Sequence, residues 1–250
     1  MCTVTWHRNG DGYVLLMNRD ELWSRGEAEP PRELERQGMP VLAPIDSDAG
    51  GTWLAVNAAG VTLCLLNRYP RGETGWAPPS ERATPQSLEP RESRGMIVLR
   101  YAAMHRADAV PAALAQADLR PFAPFTLLSV DPRSEPSVCR WDGYRLETSR
   151  ATPPVSSSSF GGEEVVAARS DAYRDMVEPR PDLDRLFAYH RSHRPDRGPY
   201  SVCAHRDDGG SRSLSVVEVD DTTITLTYEP GPPCETGPTF TATLRARTRG

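Results

Sequence analysis

The sequence predicts an α+β fold in which antiparallel sheets are covered by helices on their outer faces. Stretches with the apolar or alternating pattern of strands come in pairs around short polar turns. Stretches with a helical pattern form two separate blocks, so the order is strands, helices, strands, helices, strands. The 250 residues contain no internal repeat and no clear boundary. We therefore expect a single domain over residues 1–250.

The first strand pair is a hairpin at the N-terminus. Residues 2–8 and 13–18 flank a turn of sequence Asn-Gly-Asp-Gly at 9–12. A hairpin closed by this turn places Cys2 opposite Arg19. An arginine at that position would favour the thiolate form of the cysteine.

A second hairpin follows, in which residues 52–57 and 61–67 flank a turn at 57–60. In the register that this turn predicts, Asn67 lies opposite Gly50. Its side-chain amide could donate to a developing oxyanion, or it could simply cap the end of the strand.

The remaining elements alternate with two long segments, 19–50 and 68–90, which we interpret as loops because they are rich in proline and polar residues. Ser93 and Asp108 are candidate helix N-caps. The predicted helices are 94–106, 109–117, 163–176 and 182–192, and the predicted later strands are 124–131, 136–141, 144–148, 199–205, 212–219 and 222–229.

Composition excludes several classes of protein. The net charge of −5 and the pI near 5.6 argue against nucleic-acid binding. No apolar run is long enough to span a bilayer and no secretory signal is present, so we expect a cytoplasmic protein without membrane insertion. The five cysteines form no CxxC pair, which argues against a disulfide framework or a structural zinc site. We interpret His190 and His193, one helical turn apart, as surface histidines because no third metal ligand is evident.

Cys2 is the leading candidate for chemistry. Aminopeptidases remove Met1 before a small residue, which would leave an α-amine and a thiol on the same residue. Their unperturbed pKa values are about 7.7–8.0 and about 8.5, so near neutral pH the amine could activate the thiol as a nucleophile. The alternative is that Cys2 is only a small residue tolerated after Met1.

Four motifs resemble one known family. They are MCTVTW at the N-terminus, MNRDELWSR at 17–25, GGTWLAVN at 50–57 and LLNRY at 65–69. Together they resemble the NRDE family of transport-and-Golgi-organisation proteins, named for the tetrapeptide found here at 18–21. The C-terminal part fits more loosely. That family is in turn similar to the choloylglycine-hydrolase and penicillin-acylase branch of N-terminal-nucleophile (Ntn) hydrolases.

The resemblance implies a four-layer αββα sandwich of two antiparallel sheets and cleavage of a non-peptide C–N amide bond. It implies that Cys2 is the nucleophile and that Arg19 and Asp20 support it. That branch also uses an asparagine late in the chain for its oxyanion hole. Residues 155–160 contain no asparagine, so Asn67 is our candidate for this role.

The expected ligand is a small amide or acyl conjugate, and no cofactor or metal is required. The residues expected to bind it are Asn18, Glu21, Trp23, Trp53 and Tyr69. The resemblance also implies an alternative, in which the protein binds or transports haem or a lipid without catalysis. Haem would then be held by Cys2 or by a lone histidine or methionine, since no haem-attachment motif is present.

Overall fold

The computed structural model describes residues 2–68, 92–159, 162–235 and 237–247. Tyr69 and most of the predicted loop 68–90 lie outside the described residues. In chain order the strands are β1 (Cys2–Asn9), β2 (Gly12–Leu22), β3 (Glu29–Arg36), β4 (Met39–Ile45), β5 (Leu54–Asn57), β6 (Thr62–Asn67), β7 (Phe125–Val130), β8 (Ser137–Trp141), β9 (Leu146–Arg150), β10 (Val155–Ser157), β11 (Gly209–Val219), β12 (Thr223–Pro230) and β13 (Phe240–Arg245). The helices are α1 (Gly95–Tyr101), α2 (Val110–Ala115), α3 (Gly162–Met176) and α4 (Leu183–His190).

The strands form two antiparallel sheets that pack face to face, which confirms the predicted fold class. One sheet has the order β10-β1-β2-β11-β12-β13 and the other β3-β4-β5-β6-β7-β8-β9. Helices α3 and α4 contact the first sheet, and α1 and α2 contact the second. The result is a four-layer sandwich with a helical layer on each outer face.

The strand β2 has a core on each of its two faces, because its side chains alternate along the strand. Leu15 and Met17 belong to the core between the sheets. Val14 and Leu16 belong to a second core beneath α3 and α4. This explains why the strand is apolar on both faces. By the same alternation, odd-numbered residues of β2 face the second sheet and even-numbered residues face α3 and α4.

The predicted register of the first hairpin is confirmed. Cys2 pairs with Arg19 and Thr3 pairs with Asn18 along the whole length of β1 and β2. The reversal occurs at Gly10, whose φ of +58° is a conformation that glycine adopts without strain.

The predicted register of the second hairpin is wrong by one residue. Leu54 pairs with Cys64 and Val56 pairs with Thr62. The turn is longer than expected because the Asn57 side chain accepts hydrogen bonds from the N–H groups of both Ala59 and Val61. Asn67 is therefore not opposite Gly50.

The interpretation of 19–50 as one loop is also wrong, because it contains β3 and β4. Pro30 and Pro31 are tolerated in β3 because it is an edge strand, and its pairing register shifts around them, between Glu29 and Arg32. Gln37 and Gly38, both with positive φ, form the turn between the two strands.

Several other predicted helices and strands differ from those in the structure. Residues 199–205 form no strand, whereas β10 and β13 were not predicted. The helices α1 and α2 are shorter than expected, and neither Ser93 nor Asp108 is the N-cap residue of either one. Helices α3 and α4 match the prediction closely. Among the described residues, no helix is both long and apolar enough to cross a membrane.

Candidate active site

A cavity of about 550 Å³ opens at the end of β1 and β2 where Cys2 lies. Its wall includes residues from both sheets, from the segment before α1 and from the start of β11. Those that matter below are Cys2, Arg19, Glu21, Arg25, Asp46, Trp53, Leu65, Asn67, Arg206, Gly209 and Gly210. Both N-terminal hairpins contribute to this wall, the first through Cys2 and Arg19 and the second through Trp53, Leu65 and Asn67.

Cys2 is nearly buried, with 6% of its surface exposed. It lies between Arg19 on β2 and Ser157 on β10. Burial raises the pKa of its thiol, and the nearby Asp20 carboxylate adds to this. Arg19 and the backbone N–H of Asp20 act in the opposite direction. The predicted effect of Arg19 is therefore present, but burial outweighs it.

Arg19 is held in place from two directions. Its guanidinium lies 4.5 Å from the centre of the Trp53 ring, which is within the range of a cation–π contact. Its Nη2 donates to Asp46 Oδ2 at 3.1 Å and more weakly to Glu21 Oε2 at 3.5 Å. Side-chain freedom at this position is thus limited, and the positive charge stays beside Cys2.

Asp46 was not predicted from sequence, yet it connects the charges of the cavity. Both of its carboxylate oxygens accept hydrogen bonds from Arg25 Nη2, at 2.7 and 2.8 Å. Its Oδ2 also accepts from Arg19 Nη2. The backbone N–H groups of Asp48 and Ala49 donate to it as well. Burial alone would raise its pKa, but Arg25 and the other donors prevail and lower the pKa of this carboxyl. Asp46 therefore stays ionised.

Asp20 does not lie on the same face as Cys2, because it is the next residue along the strand from Arg19. Its carboxylate is buried beneath α3, where Arg169 Nη2 donates at 3.1 Å and Ser211 Oγ donates at 2.6 Å. Arg169 also donates to Thr3 Oγ1 at 2.8 Å. Asp20 therefore supports the strand that carries Arg19, and its carboxylate binds Arg169 instead of Arg19.

Asn18 is directed away from the cavity, which contradicts its predicted contact with a ligand. Its amide donates to the carbonyl oxygens of His190 and Val202, and its Oδ1 is 2.8 Å from His190 Nδ1. Thr5 Oγ1 lies 2.8 Å from the other ring nitrogen. His190 is therefore fully buried, so its interpretation as a surface histidine is wrong.

Of the other predicted site residues, some line the cavity and one does not. Glu21 and Trp53, predicted to bind the ligand, and Asn67, the predicted oxyanion donor, line the cavity. Trp23 does not, since it is 43% exposed and packs against Gly210 while donating to the Arg206 carbonyl.

Two buried donors near the cavity have no hydrogen-bond partner among the described residues. One is Trp53 Nε1. The other is Ser157 Oγ, on β10, where Ser157 pairs with Cys2. A buried donor without a partner costs free energy, about 1–3 kcal/mol. Such groups are candidates for contact with a ligand or water.

A family model described as Transport and Golgi organisation 2 matches residues 1–161, which is more than half of the 250 residues. The chain belongs to this family. A search of curated proteins found no match.

Solved structures of three enzymes share the fold. The C2A mutant of conjugated bile acid hydrolase from Clostridium perfringens has 12% identity and a TM-score of 0.60, covering 97% of this chain and 92% of that one. Penicillin V acylase from Agrobacterium tumefaciens has 12% identity and a TM-score of 0.53, covering 96% and 85%. The N-acylethanolamine-hydrolyzing acid amidase orthologue from Caenorhabditis elegans has 10% identity and a TM-score of 0.56, covering 86% and 92%. At these identities the similarity shows the Ntn-hydrolase fold alone.

The residues missed from sequence share one property, which is that their partners are distant in the chain. Asp46 and Arg169 carry no local motif, and each becomes recognisable only through its arginine or aspartate partner. Ser157 lies in a run of four serines, a composition that is typical of turns. A group of metal-capable side chains, His193, Cys203, His205 and Cys234, lies beside the cavity instead of in it.

Proposed function

We propose that this protein is an N-terminal-cysteine hydrolase that cleaves the C–N amide bond of a small acyl conjugate. The observation that carries the proposal is the position of Cys2, in the wall of a cavity of about 550 Å³ and directly across the hairpin from Arg19. The names of the structural neighbours, an acylase, a conjugated bile acid hydrolase and an acid amidase, support the same reaction class.

The proposed reaction begins after Met1 is removed. The α-amine of Cys2 takes the thiol proton, and the sulfur attacks the amide carbonyl to form a tetrahedral oxyanion. The α-amine then returns the proton to the leaving nitrogen, so the C–N bond breaks and an amine departs. Water attacks the resulting thioester, the C–S bond breaks, and a carboxylic acid and the free thiol are formed.

Burial raises the pKa of Cys2, and the charge of the N-terminus acts against this effect. After removal of Met1 the positive α-ammonium group would be on Cys2 itself, and an adjacent cation lowers the pKa of a thiol. Arg19 acts in the same direction and is fixed by Asp46 and Trp53. Together these charges oppose the effect of burial.

Donors for the oxyanion are available in the cavity wall. Asn67 replaces the late asparagine of the related branch, and Trp53 Nε1 is a buried donor without a described protein partner. A donor directed at the oxyanion contributes about 2.7–4 kcal/mol to catalysis. The ring of Trp53 and the side chain of Leu65 form apolar wall for the acyl group.

The test uses a panel of fluorogenic amides with acyl groups of increasing length, with wild type, Cys2→Ala and Cys139→Ala compared. Cys139 is also a buried cysteine but lies outside the cavity wall, so its variant controls for loss of a thiol. We expect turnover in wild type and in Cys139→Ala only. Intact mass spectrometry should show Met1 absent and an acyl adduct on Cys2. Turnover by Cys2→Ala, or full activity of a chain that retains Met1, would contradict the mechanism.

A second candidate is ligand binding without catalysis, for haem or a lipid. The raised pKa of the Cys2 thiol weighs against the first function, because a protonated thiol is a poor nucleophile, and it leaves non-covalent binding in the cavity as the alternative. Titration with haem, followed in the Soret band, distinguishes the two functions. Saturable binding, together with no amide turnover, would favour the second candidate.

A further inference from the structure

Four metal-capable side chains converge next to the start of β11. They are His193, which follows α4, Cys203 and His205, which precede β11, and Cys234, which follows β12. Their ligand atoms all lie within 4.8 Å of one another. No short sequence motif predicts the group, because its members come from three separate segments.

The three separations that involve His205 fit one central ion. His193 Nε2 is 3.1 Å from His205 Nε2, and both Cys203 Sγ and Cys234 Sγ are 3.5 Å from His205 Nε2. In a tetrahedral zinc site, bond lengths of about 2.3 Å to sulfur and about 2.05 Å to nitrogen place ligand atoms about 3.6 Å apart for S···N and about 3.4 Å apart for N···N. The observed separations differ from these values by a few tenths of an ångström.

The chemistry of the donors also selects zinc. Two thiolates and two imidazoles form the Cys₂His₂ set typical of structural zinc sites. Hard cations such as Mg²⁺ and Ca²⁺ require oxygen ligands. Binding would release one proton from each thiol, so the two thiolates and Zn²⁺ would form a neutral centre.

The backbone that carries the ligands is already fixed. The N–H of Cys203 donates to the Ser192 carbonyl at 3.1 Å, and that of His205 donates to the Gly198 carbonyl at 3.2 Å. Cys203 is fully buried and the other three are partly buried. Little chain ordering is left for an ion to impose, and a site of four protein ligands leaves no open position for catalysis.

We propose that His193, Cys203, His205 and Cys234 bind one Zn²⁺ as a structural site. The ion ties the end of α4 and the turn after β12 to the segment 203–210. That segment ends at the cavity, since Arg206, Gly209 and Gly210 belong to the cavity wall. The zinc site therefore stabilises one side of the candidate active site without taking part in the reaction.

One neighbouring contact must change when the ion binds. Arg197 Nη2 is 3.4 Å from His205 Nδ1. Coordination through Nε2 places the ring proton on Nδ1, so the arginine no longer has an acceptor there. Glu235 lies 4.0 Å from Arg197 and provides the alternative partner.

The first test is the metal content of the full-length protein, purified without a histidine tag from zinc-supplemented cells under reducing conditions. We expect one zinc per chain by elemental analysis. The chelator-stripped protein should bind Co²⁺ with the intense visible bands of a tetrahedral thiolate site. These measurements on wild type need no variant. Absence of both stoichiometric zinc and the tetrahedral cobalt spectrum would overturn the proposal.

Variants locate the site. Cys234→Ser and His193→Gln should each lose most of the bound metal. Cys139→Ser and His105→Gln, which remove a cysteine and a histidine elsewhere, should keep it. Equal metal content in ligand and control variants would overturn the assignment. A Cys203–Cys234 disulfide that persists in the protein purified under reducing conditions, found by peptide mapping without further reductant, would overturn it as well.

Discussion

At the scale of single residues, neighbouring positions on β2 perform separate tasks. Arg19 faces the cavity and pairs with Asp46, whereas Asp20 faces α3 and pairs with Arg169. Both members of the Asp20–Arg169 pair have fully buried side chains. Removing one partner of such a pair costs about 3–5 kcal/mol because the other charge stays buried. The NRDE tetrapeptide therefore combines a cavity arginine with a buried anchor for a helix.

Substitution of two tryptophans would test whether the Trp53 N–H is available to a ligand. Trp53 Nε1 has no described partner, whereas Trp141 Nε1 donates to the Phe122 carbonyl at 3.2 Å. Trp53→Phe removes an unsatisfied donor and should leave the free energy of unfolding nearly unchanged apart from lost packing. Trp141→Phe should cost an additional ~0.5–1.5 kcal/mol for its lost hydrogen bond. Urea unfolding measures both.

The same pair of variants reports on the proposed activity. If Trp53 Nε1 donates to the oxyanion, Trp53→Phe should lower kcat/KM by about 100-fold or more. Trp141→Phe should leave kcat/KM unchanged. Equal activity of Trp53→Phe and wild type would remove Trp53 from the list of donors, and Asn67 would then be the leading candidate.

At this scale, the sequence predicts contacts that follow from a short turn and misses contacts between distant segments of the chain. The position of Cys2 opposite Arg19 follows from a short turn and strict strand alternation, so it could be predicted. The position of Asn67 could not, because one extra turn residue at Asn57–Val61 changes the register. Asp46 lies far along the chain from Arg19, and no periodicity reports such a contact.

At the scale of elements, strands were missed where the local composition favours a loop or turn but pairing with a neighbouring strand stabilises an extended conformation. Pro30 and Pro31 of β3 favour a loop, but the second sheet accepts this strand at its edge. The serines of β10 favour a turn, but this three-residue strand pairs with β1 opposite Cys2. Both elements gain their stability from a neighbour that sequence patterns do not show.

Helix α4 is attached to the first sheet through His190, which makes its docking dependent on pH. Burial lowers the pKa of His190 to about 3, and Arg169 contributes to the shift. The unfolded chain binds a proton below its ordinary pKa of about 6.5, whereas the folded protein does so only near pH 3. The stabilisation is therefore complete above pH 6.5 and is lost as the pH falls, at about 1.4 kcal/mol per pH unit.

Urea unfolding between pH 8 and pH 5, with EDTA present to remove any contribution from metal, measures this slope. His190→Gln should be less stable at pH 8, since the contacts with Asn18 and Thr5 change. It should also lose about 1.4 kcal/mol per pH unit of the dependence below pH 6.5. His105→Gln is the matched control and should retain the slope of wild type. An unchanged slope in His190→Gln would show that another group is responsible.

At the scale of the whole molecule, the two sheets take their strands from different parts of the chain. All strands of the second sheet lie before residue 151, whereas β11, β12 and β13 of the first sheet lie after residue 208. The strand β2 lies between β1 and β11, and its even-numbered face is covered by α3 and α4. The N-terminal 161 residues that match the family therefore contain the candidate catalytic residues but only three of the six strands of the first sheet.

This arrangement predicts that residues 1–161 do not fold alone. The fragment would leave β2 as an edge strand, with the apolar face at Val14 and Leu16 exposed to water. We expect it to aggregate, or to show no cooperative thermal transition by circular dichroism. Co-expression with residues 162–250 should restore a soluble complex that melts cooperatively. A fragment 1–161 that is monomeric and unfolds in one cooperative transition would show that the chain contains two domains, because the C-terminal strands and helices would then be dispensable for the first sheet.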